Sequence, residues 1–275
     1  MTCERSIRYL LSTFDLGGNP GSSLAASRWQ QRVEQRIKAL HLDLAAEVPI
    51  VAALDWVTYT PAHTFSDWAE EVRLHLERGA AKSDLQVFLG GNHLGALPLY
   101  VWWLGRHKGT VAVLDAHHDF NPTQDWSELS HSNFLYLLAQ DHDLAAAGIH
   151  WFGCRDNAAS LPEWVRQRTF ESVLWHSKFE LPSVVTSASG EGLFLDIDVD
   201  VLEPAAMPAC VSRTPGGLRV DEARLLIGGL IALNPVELIA VTEYNPLLDD
   251  PLGGGFETAD RLLVTALRAW AKVQR

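Results

Sequence analysis

The sequence predicts an α/β protein, a three-layer α/β/α sandwich with a mainly parallel sheet. Short runs dense in Val, Leu, Ile and Phe alternate from end to end with stretches of helical periodicity, and such alternation builds a parallel sheet covered by helices. The runs are mostly continuous in polarity, as strands buried on both faces should be. The chain has 275 residues, 47% of them hydrophobic and 20% charged. That supplies a large core and carries no compositional mark of disorder. There is no internal repeat, low-complexity tract or evident linker, so residues 1–275 are expected to form a single domain.

The expected strands are 8–13, 49–54, 85–89, 110–114, 150–154, 172–175, 192–197 and 237–241. Helical spacing marks 25–40. The 64–77 stretch opens on a Thr/Ser cap and keeps Phe65, Trp68, Val72 and Leu76 on one face. Further helices are expected at 131–139, 221–232 and 257–272, with flexible loops at 17–23 and 249–255.

Charge and cysteine usage narrow the function classes. The net charge is −12, from 34 acidic and 22 basic residues. Such a surface repels phosphate backbones and anionic headgroups, so neither nucleic acid nor membrane is an expected partner. Cys3, Cys154 and Cys210 are far apart and odd in number, which argues against a disulfide framework. The first residues lack the apolar core of a secretory leader, and no apolar run approaches the roughly 20 residues of a membrane span. The expected location is the cytoplasm. The ten tryptophans are read as packing residues.

Ligands of a parallel α/β sheet gather beyond the carboxyl ends of its strands, and the chemically informative residues follow those ends. Gly90-Gly91-Asn92-His93 follows 85–89, and Asp115-Ala116-His117-His118-Asp119 follows 110–114. Asp196, Asp198 and Asp200 alternate at the end of 192–197, and Glu243-Tyr244-Asn245-Pro246 follows 237–241. In an extended segment, Asp115, His117 and Asp119 point to one side. Carboxylates crowded in this way repel one another unless a cation joins them. One such run is also compatible with a loop of solvated, capping carboxylates. Two runs together with a His after a Gly-Gly turn favour a metal. The mixed ligands suit Mn, Fe, Co, Ni or Zn, and their number suits two ions about 3.5–4 Å apart. On spacing alone, the triple-Asp run leaves the ligand register open.

These four motifs, with Asp198-Val199-Asp200-Val201-Leu202-Glu203-Pro204 as the third, resemble in order and spacing the signatures of the arginase/agmatinase (ureohydrolase) superfamily. The resemblance implies an arginase-like fold and a two-manganese centre, other divalent metals being accepted by the same ligands. It implies His93, Asp115, Asp119 and Asp198 around one ion. His117 and Asp200 would complete the other, with Asp115 and Asp198 bridging. Asp196 then stands where the family usually has a small polar residue. It is either an acceptor behind the ligands or a sign of another register.

The implied reaction is hydrolysis of a guanidino group, releasing urea from an arginine-type substrate and leaving ornithine. Two divalent ions lower the pKa of a shared water enough to make a nucleophile at neutral pH. By resemblance, Asp119 accepts its proton, Glu243 pairs with the guanidinium and His131, in Ser-His-Ser-Asn, protonates the leaving amine. Asn121 and Ser127 match positions that hold a substrate carboxylate. In Gly153-Cys154-Arg155-Asp156-Asn157-Ala158, Ala158 stands where arginases place an Asp facing the α-amino group. That departure turns the expectation from free arginine to arginine within a peptide or a modified arginine, as in the divergent peptide-arginase-like branch. Arg213 either meets a substrate carboxylate or is solvated. Agmatine, a guanidino acid and formiminoglutamate (a formimidoylglutamase substrate) are the alternatives, with a single-zinc deacetylase-like enzyme as the rival class. The family habit also implies a homo-oligomer.

Overall fold

The computed structural model describes residues 5–15, 21–43, 50–60, 62, 64–106, 109–146, 148–156, 161–170 and 192–273. The strands among them are β1 (Arg5–Ser12), β2 (Ile50–Val57), β3 (Leu85–Leu89), β4 (Thr110–Leu114), β5 (Ile149–Phe152), β6 (Thr169–Phe170), β7 (Leu193–Asp198) and β8 (Val236–Thr242). They form one sheet in the order β2-β1-β3-β8-β7-β4-β5-β6. Every pairing in it is parallel.

The helices are α1 (Ala25–Asp43), α2 (Phe65–Ala80), α3 (Leu97–Arg106), α4 (Phe134–Asp141), α5 (Glu163–Gln167), α6 (Val220–Leu233) and α7 (Gly254–Val273). Alternation along each strand divides the core into two layers. Ile7, Tyr9 and Leu11 of β1, Ala112 and Leu114 of β4, and Leu193, Leu195 and Ile197 of β7 pack with α1, α6 and α7. Leu10, Val111, Val113 and Phe194 face the opposite way, toward α2, α3, α4 and α5. Each fully buried large apolar side chain contributes about 1.5–3 kcal/mol, so the two layers hold the sheet from both sides. This is the expected three-layer sandwich.

Strand positions agree with expectation, with ends shifted by a few residues. The run expected at 172–175 and residues 17–20 of the loop expected at 17–23 lie outside the described residues, while Ser22–Leu24 form a 3-10 turn. Helix α3 has no amphipathic stripe because Leu97, Leu99, Tyr100, Trp102 and Trp103 are buried around its circumference, which hides it from periodicity. The short α5 gives too few turns to show a period. The helix expected from 131 starts at Phe134, because 131–133 form a turn. The 249–255 loop is pinned rather than free. Asp249 accepts hydrogen bonds from the Tyr244 hydroxyl (3.0 Å) and the Gly255 and Phe256 amides (2.8 and 3.0 Å), satisfying donors that open α7. No helix among the described residues is long and apolar enough to cross a membrane.

Register positions the site. Leu89 pairs with Val241, Val241 with Ile197 and Ile197 with Leu114. The carboxyl ends of the four central strands β3, β8, β7 and β4 therefore lie at one level, each releasing its motif onto the same rim.

Candidate metal centre

His93 opens a 3-10 turn, His93–Ala96, whose first amides are capped by Asn92 Oδ1 accepting from Leu94 N (2.9 Å). A side chain at Gly91 would overlap the Ser22 carbonyl, so the Gly-Gly turn lets the backbone pass and deliver His93 inward. Beyond Leu114 the chain leaves the sheet and bends at Ala116–His117. Convergence of Asp115, His117 and Asp119 thus comes from a bent loop and not from the extended alternation expected of it. Asp119 and Glu243 are the non-glycine residues of positive φ among those described, at 51° and 62°. An L residue adopts that conformation at a cost of about 1–2 kcal/mol, and both sit at the rim, where surrounding packing holds them.

Three carboxylates converge on one imidazole nitrogen. His93 Nδ1 lies 2.7 Å from Asp119 Oδ2, 3.2 Å from Asp115 Oδ2 and 3.2 Å from Asp198 Oδ2. Beside it, His117 Nδ1 lies 2.9 Å from Asp200 Oδ2 and 3.5 Å from Asp115 Oδ1. Asp115 is thus common to both groups, with one oxygen toward each. Backbone amides orient the carboxylates. Asp115 Oδ1 accepts from His117 N (2.7 Å), Asp198 Oδ1 from Asp200 N (2.8 Å) and Asp200 Oδ1 from Ala116 N (3.1 Å). Glu243 Oε1 accepts from His93 N at 2.7 Å.

The electrostatics are those of a site short of positive charge. Burial and the neighbouring Asp115 charge raise Asp119 to about 7. Burial, reinforced by Asp200 and Asp115, raises Asp198 well above the carboxylate range. Burial raises Glu243 to about 8. Against the effect of burial, Asp115 and Asp200 raise His117 to about 11. Asp115 alone falls, because the adjoining His117 and His93 imidazoles outweigh its burial. Protons stand where a cation would otherwise satisfy the carboxylates. His93 Nδ1, Asp115 Oδ2 and Asp119 Oδ2 are buried and meet no hydrogen-bond partner of good geometry. Buried polar atoms rarely remain so, and a divalent ion accepting their lone pairs resolves the deficit. The groups His93/Asp115/Asp119 and Asp115/His117/Asp200 each bring ligand atoms within 4.8 Å of one another. Oxygen and imidazole donors suit a first-row divalent metal.

Asp196 is set apart from that set. On β7 it shares the face of Phe194, accepts from the Tyr100 hydroxyl at 2.7 Å and touches the far nitrogen of His93, Nε2, at 2.9 Å. It orients His93 from behind, while Asp198 occupies the rim. Tyr100 was missed because it lies on α3, the helix without a periodic signature. Thr214 is a second omission, its hydroxyl lying 3.3 Å from His117 Nε2. Arg155 donates to the carbonyls of Gly153, Val201, Asp200 and Thr214 at 2.7–3.0 Å. It therefore braces the ligand loops, whereas Arg213 is exposed.

The remaining expected residues lie on the loop that leads from Asp119 to α4. Asn121 N donates to Ser132 O (3.0 Å) and Leu135 N to Asp119 O (3.1 Å), which ties the half-buried His131 turn to the ligand segment. Ser127 is exposed and directs both its amide and its hydroxyl to Asp125. Asn157 and Ala158 lie outside the described residues.

Fold and centre together define an α/β protein with a buried His/Asp cluster, able to hold metal, at the carboxyl rim of a parallel sheet. The sequence profile of the arginase family matches residues 13–267, and the chain belongs to that family. It is 28% identical over 192 residues to an agmatinase of Photorhabdus laumondii, covering 66% of this chain and 59% of that protein. It is 28% identical over 159 residues to a formimidoylglutamase of Bacillus subtilis, covering 53% and 49%. The matched stretch thus spans less than two thirds of either relative. The proclavaminate amidino hydrolase of Streptomyces clavuligerus superposes with a TM-score of 0.77 at 18% identity, covering 100% of this chain and 94% of that one. The arginase of Bacillus subtilis gives 0.75 at 16% identity, covering 96% and 98%. At such identities the likeness is one of fold.

Proposed function

We propose that this protein is a binuclear-metal hydrolase that cleaves a C–N bond of a guanidino or related amidine group, with two Mn2+ as the resident ions. The observation that carries the reading is Asp115, which turns one oxygen to the His93 group and the other to the His117 group. A carboxylate shared in this way suits two ions and has no counterpart in a single-zinc deacetylase site. His93, Asp115, Asp119 and Asp198 would hold one ion. His117 and Asp200 would complete the second, with Asp115 and Asp198 common to both. The ions supply a water acidified enough to attack at neutral pH.

The chain's own residues do the rest. Asp119, at the rim, takes the proton that the attacking water releases. Glu243, buried and anchored to His93 N, pairs with the cationic group and holds its carbon over the centre. His131, on the loop tied to Asp119, protonates the leaving amine. Asn121 and Ser127 border the outer end of the substrate, and Ser127 must release Asp125 to do so. The substrate is a guanidino-bearing small molecule or arginine-containing peptide that leaves ornithine, since Ala158 removes the acid that faces a free α-amino group. The names of the curated relatives support agmatine and formiminoglutamate as the second reading. One panel decides between them: manganese-loaded protein is incubated with arginine, an arginine peptide, agmatine, guanidinobutyrate and formiminoglutamate, and urea or formamide is measured. Urea from the peptide is expected. Release from agmatine or formiminoglutamate alone moves the assignment to the second reading, and urea from free arginine alone refutes both.

A further inference from the structure

We infer that His118, Cys154 and Asp156 form a separate binding site for a thiophilic divalent cation of the zinc class, beside the Asp115 centre and independent of it. Their ligand atoms lie within 4.8 Å of one another. His118 turns away from its neighbours His117 and Asp119, and its Nδ1 comes 3.1 Å from Cys154 Sγ and 3.7 Å from Asp156 Oδ2. His118 and Cys154 are buried, while the Asp156 side chain is 37% exposed and opens the pocket to solvent.

A hydrogen-bond chain sets the imidazole in the form a metal needs. The Thr169 hydroxyl donates its one proton to Val165 O at 2.8 Å. Its oxygen, 3.2 Å from His118 Nε2, therefore accepts from that nitrogen. Nε2 then carries the ring proton, and Nδ1, the nitrogen nearer Cys154 Sγ (3.1 Å, against 3.4 Å for Nε2) and 3.7 Å from Asp156 Oδ2, is the nitrogen that would ligate. An imidazole whose far N–H is held by an oxygen acceptor is the arrangement found behind metal-bound histidines. The backbone adds a further hold, since His118 N donates to Asp156 Oδ2 at 2.9 Å.

Without an ion, burial keeps the thiol protonated well above its ordinary range. On binding, Cys154 releases that proton to solvent, and Sγ, Nδ1 and Asp156 ligate the cation, with water from the open side as the fourth donor. A thiolate in the set selects zinc-class ions over magnesium and calcium. Because His118 stands between His117 and Asp119, the ion would clamp the ligand loop after β4 to the end of β5.

Cobalt(II) reads the site directly, because a thiolate ligand gives a near-ultraviolet charge-transfer band that oxygen and nitrogen ligands cannot. The band therefore reports this site however many ions the Asp115 centre takes, so its failure and that of the proposed function are distinguishable. The titration uses the full chain with Cys3→Ser and Cys210→Ser, so that Cys154 is the only thiol. The expected result is one equivalent of cobalt giving the band, bleached by zinc and abolished by Cys154→Ser. Asp156→Asn, whose amide oxygen can still accept from His118 N, should weaken cobalt at this site by about tenfold or more. Absence of the band in the folded parent, or a band whose midpoint is unmoved by Asp156→Asn, overturns the assignment.

Discussion

The two halves of the centre use the same residue types in different surroundings. The His93 side chain is 1% exposed, meets carboxylates at both ring nitrogens and is backed by Asp196 and Tyr100. The His117 side chain is 25% exposed, with the Thr214 hydroxyl behind it and Asp200 and Asp115 in front. Burial makes the first half both a candidate ligand site and a piece of the core, whereas the second is closer to a candidate ligand site alone. Identical chemistry therefore carries different costs when it is cut.

The largest effect should come from the residue the two halves share. Asp115→Ala is expected to abolish binding at both positions, so that manganese per chain and hydrolase activity fall to background; full metal content in the folded variant would refute the shared-ligand assignment. Asp198→Ala tests the other shared position by the same measurement.

Next come the histidines. In metal-free protein, Asp196, Asp115 and Asp119 hold His93 protonated well above its ordinary range against its burial, so His93→Ala strips these carboxylates and Asp198 of the cation among them, costing about 3–5 kcal/mol. His117→Ala, at a wetter position, should cost about 1.5–3 kcal/mol. Urea denaturation of both variants checks the order, and equal losses would erase the distinction between the halves.

Asp196→Asn acts only from behind His93. Metal affinity is expected to fall by about 10–100-fold with the fold retained, read by competition with a chelator. An unchanged affinity would reduce Asp196 to a packing partner of Tyr100.

The pH dependence follows from the same crowding. Asp119 and Glu243, raised to about 7 and about 8, and His117, raised to about 11, bind protons more tightly folded than unfolded. Their stabilisation is complete below their unfolded values and is lost as pH rises through the folded ones. Metal-free protein should therefore melt at progressively lower temperature from about pH 4 to about pH 11. The lowered Asp115 acts oppositely, and only in strong acid. Manganese replaces those protons, so its increment in Tm should grow over the same range. A flat metal-free profile would show the carboxylates to be uncoupled.

The smallest effect lies away from the centre. Thr64→Ala removes the capping box of α2, in which Thr64 Oγ1 accepts from Asp67 N at 3.1 Å. It should cost about 1 kcal/mol by denaturation and leave metal content unchanged.

Much of this was legible in the residue order. Dense, non-alternating apolar stretches marked the central strands 85–89 and 110–114 to the residue, as expected of strands buried on both faces. The motifs at the ends of 85–89, 110–114 and 192–197 supplied the six ligand candidates by residue type. What escaped were features without a local signature: α3, apolar all round; the tie from Tyr100 to Asp196; and the Thr214 hydroxyl behind His117. These contacts join segments tens of residues apart, and only packing brings them together.

The sequence by itself determined the fold class, the family signatures and which side chains crowd the rim, because periodicity and unscreened carboxylates are local properties. Tertiary structure alone decided how they are used. Sheet register brought Leu89, Val241, Ile197 and Leu114 to one level. The positive-φ turns at Asp119 and Glu243 set the aim of both side chains where the chain leaves the sheet. Packing then separated Asp196, held behind His93 by the Tyr100 hydroxyl, from Asp198 on the Nδ1 side. Spacing could not separate those two aspartates, because alternation puts both on one face and only the packing of α3 against that face distinguishes them.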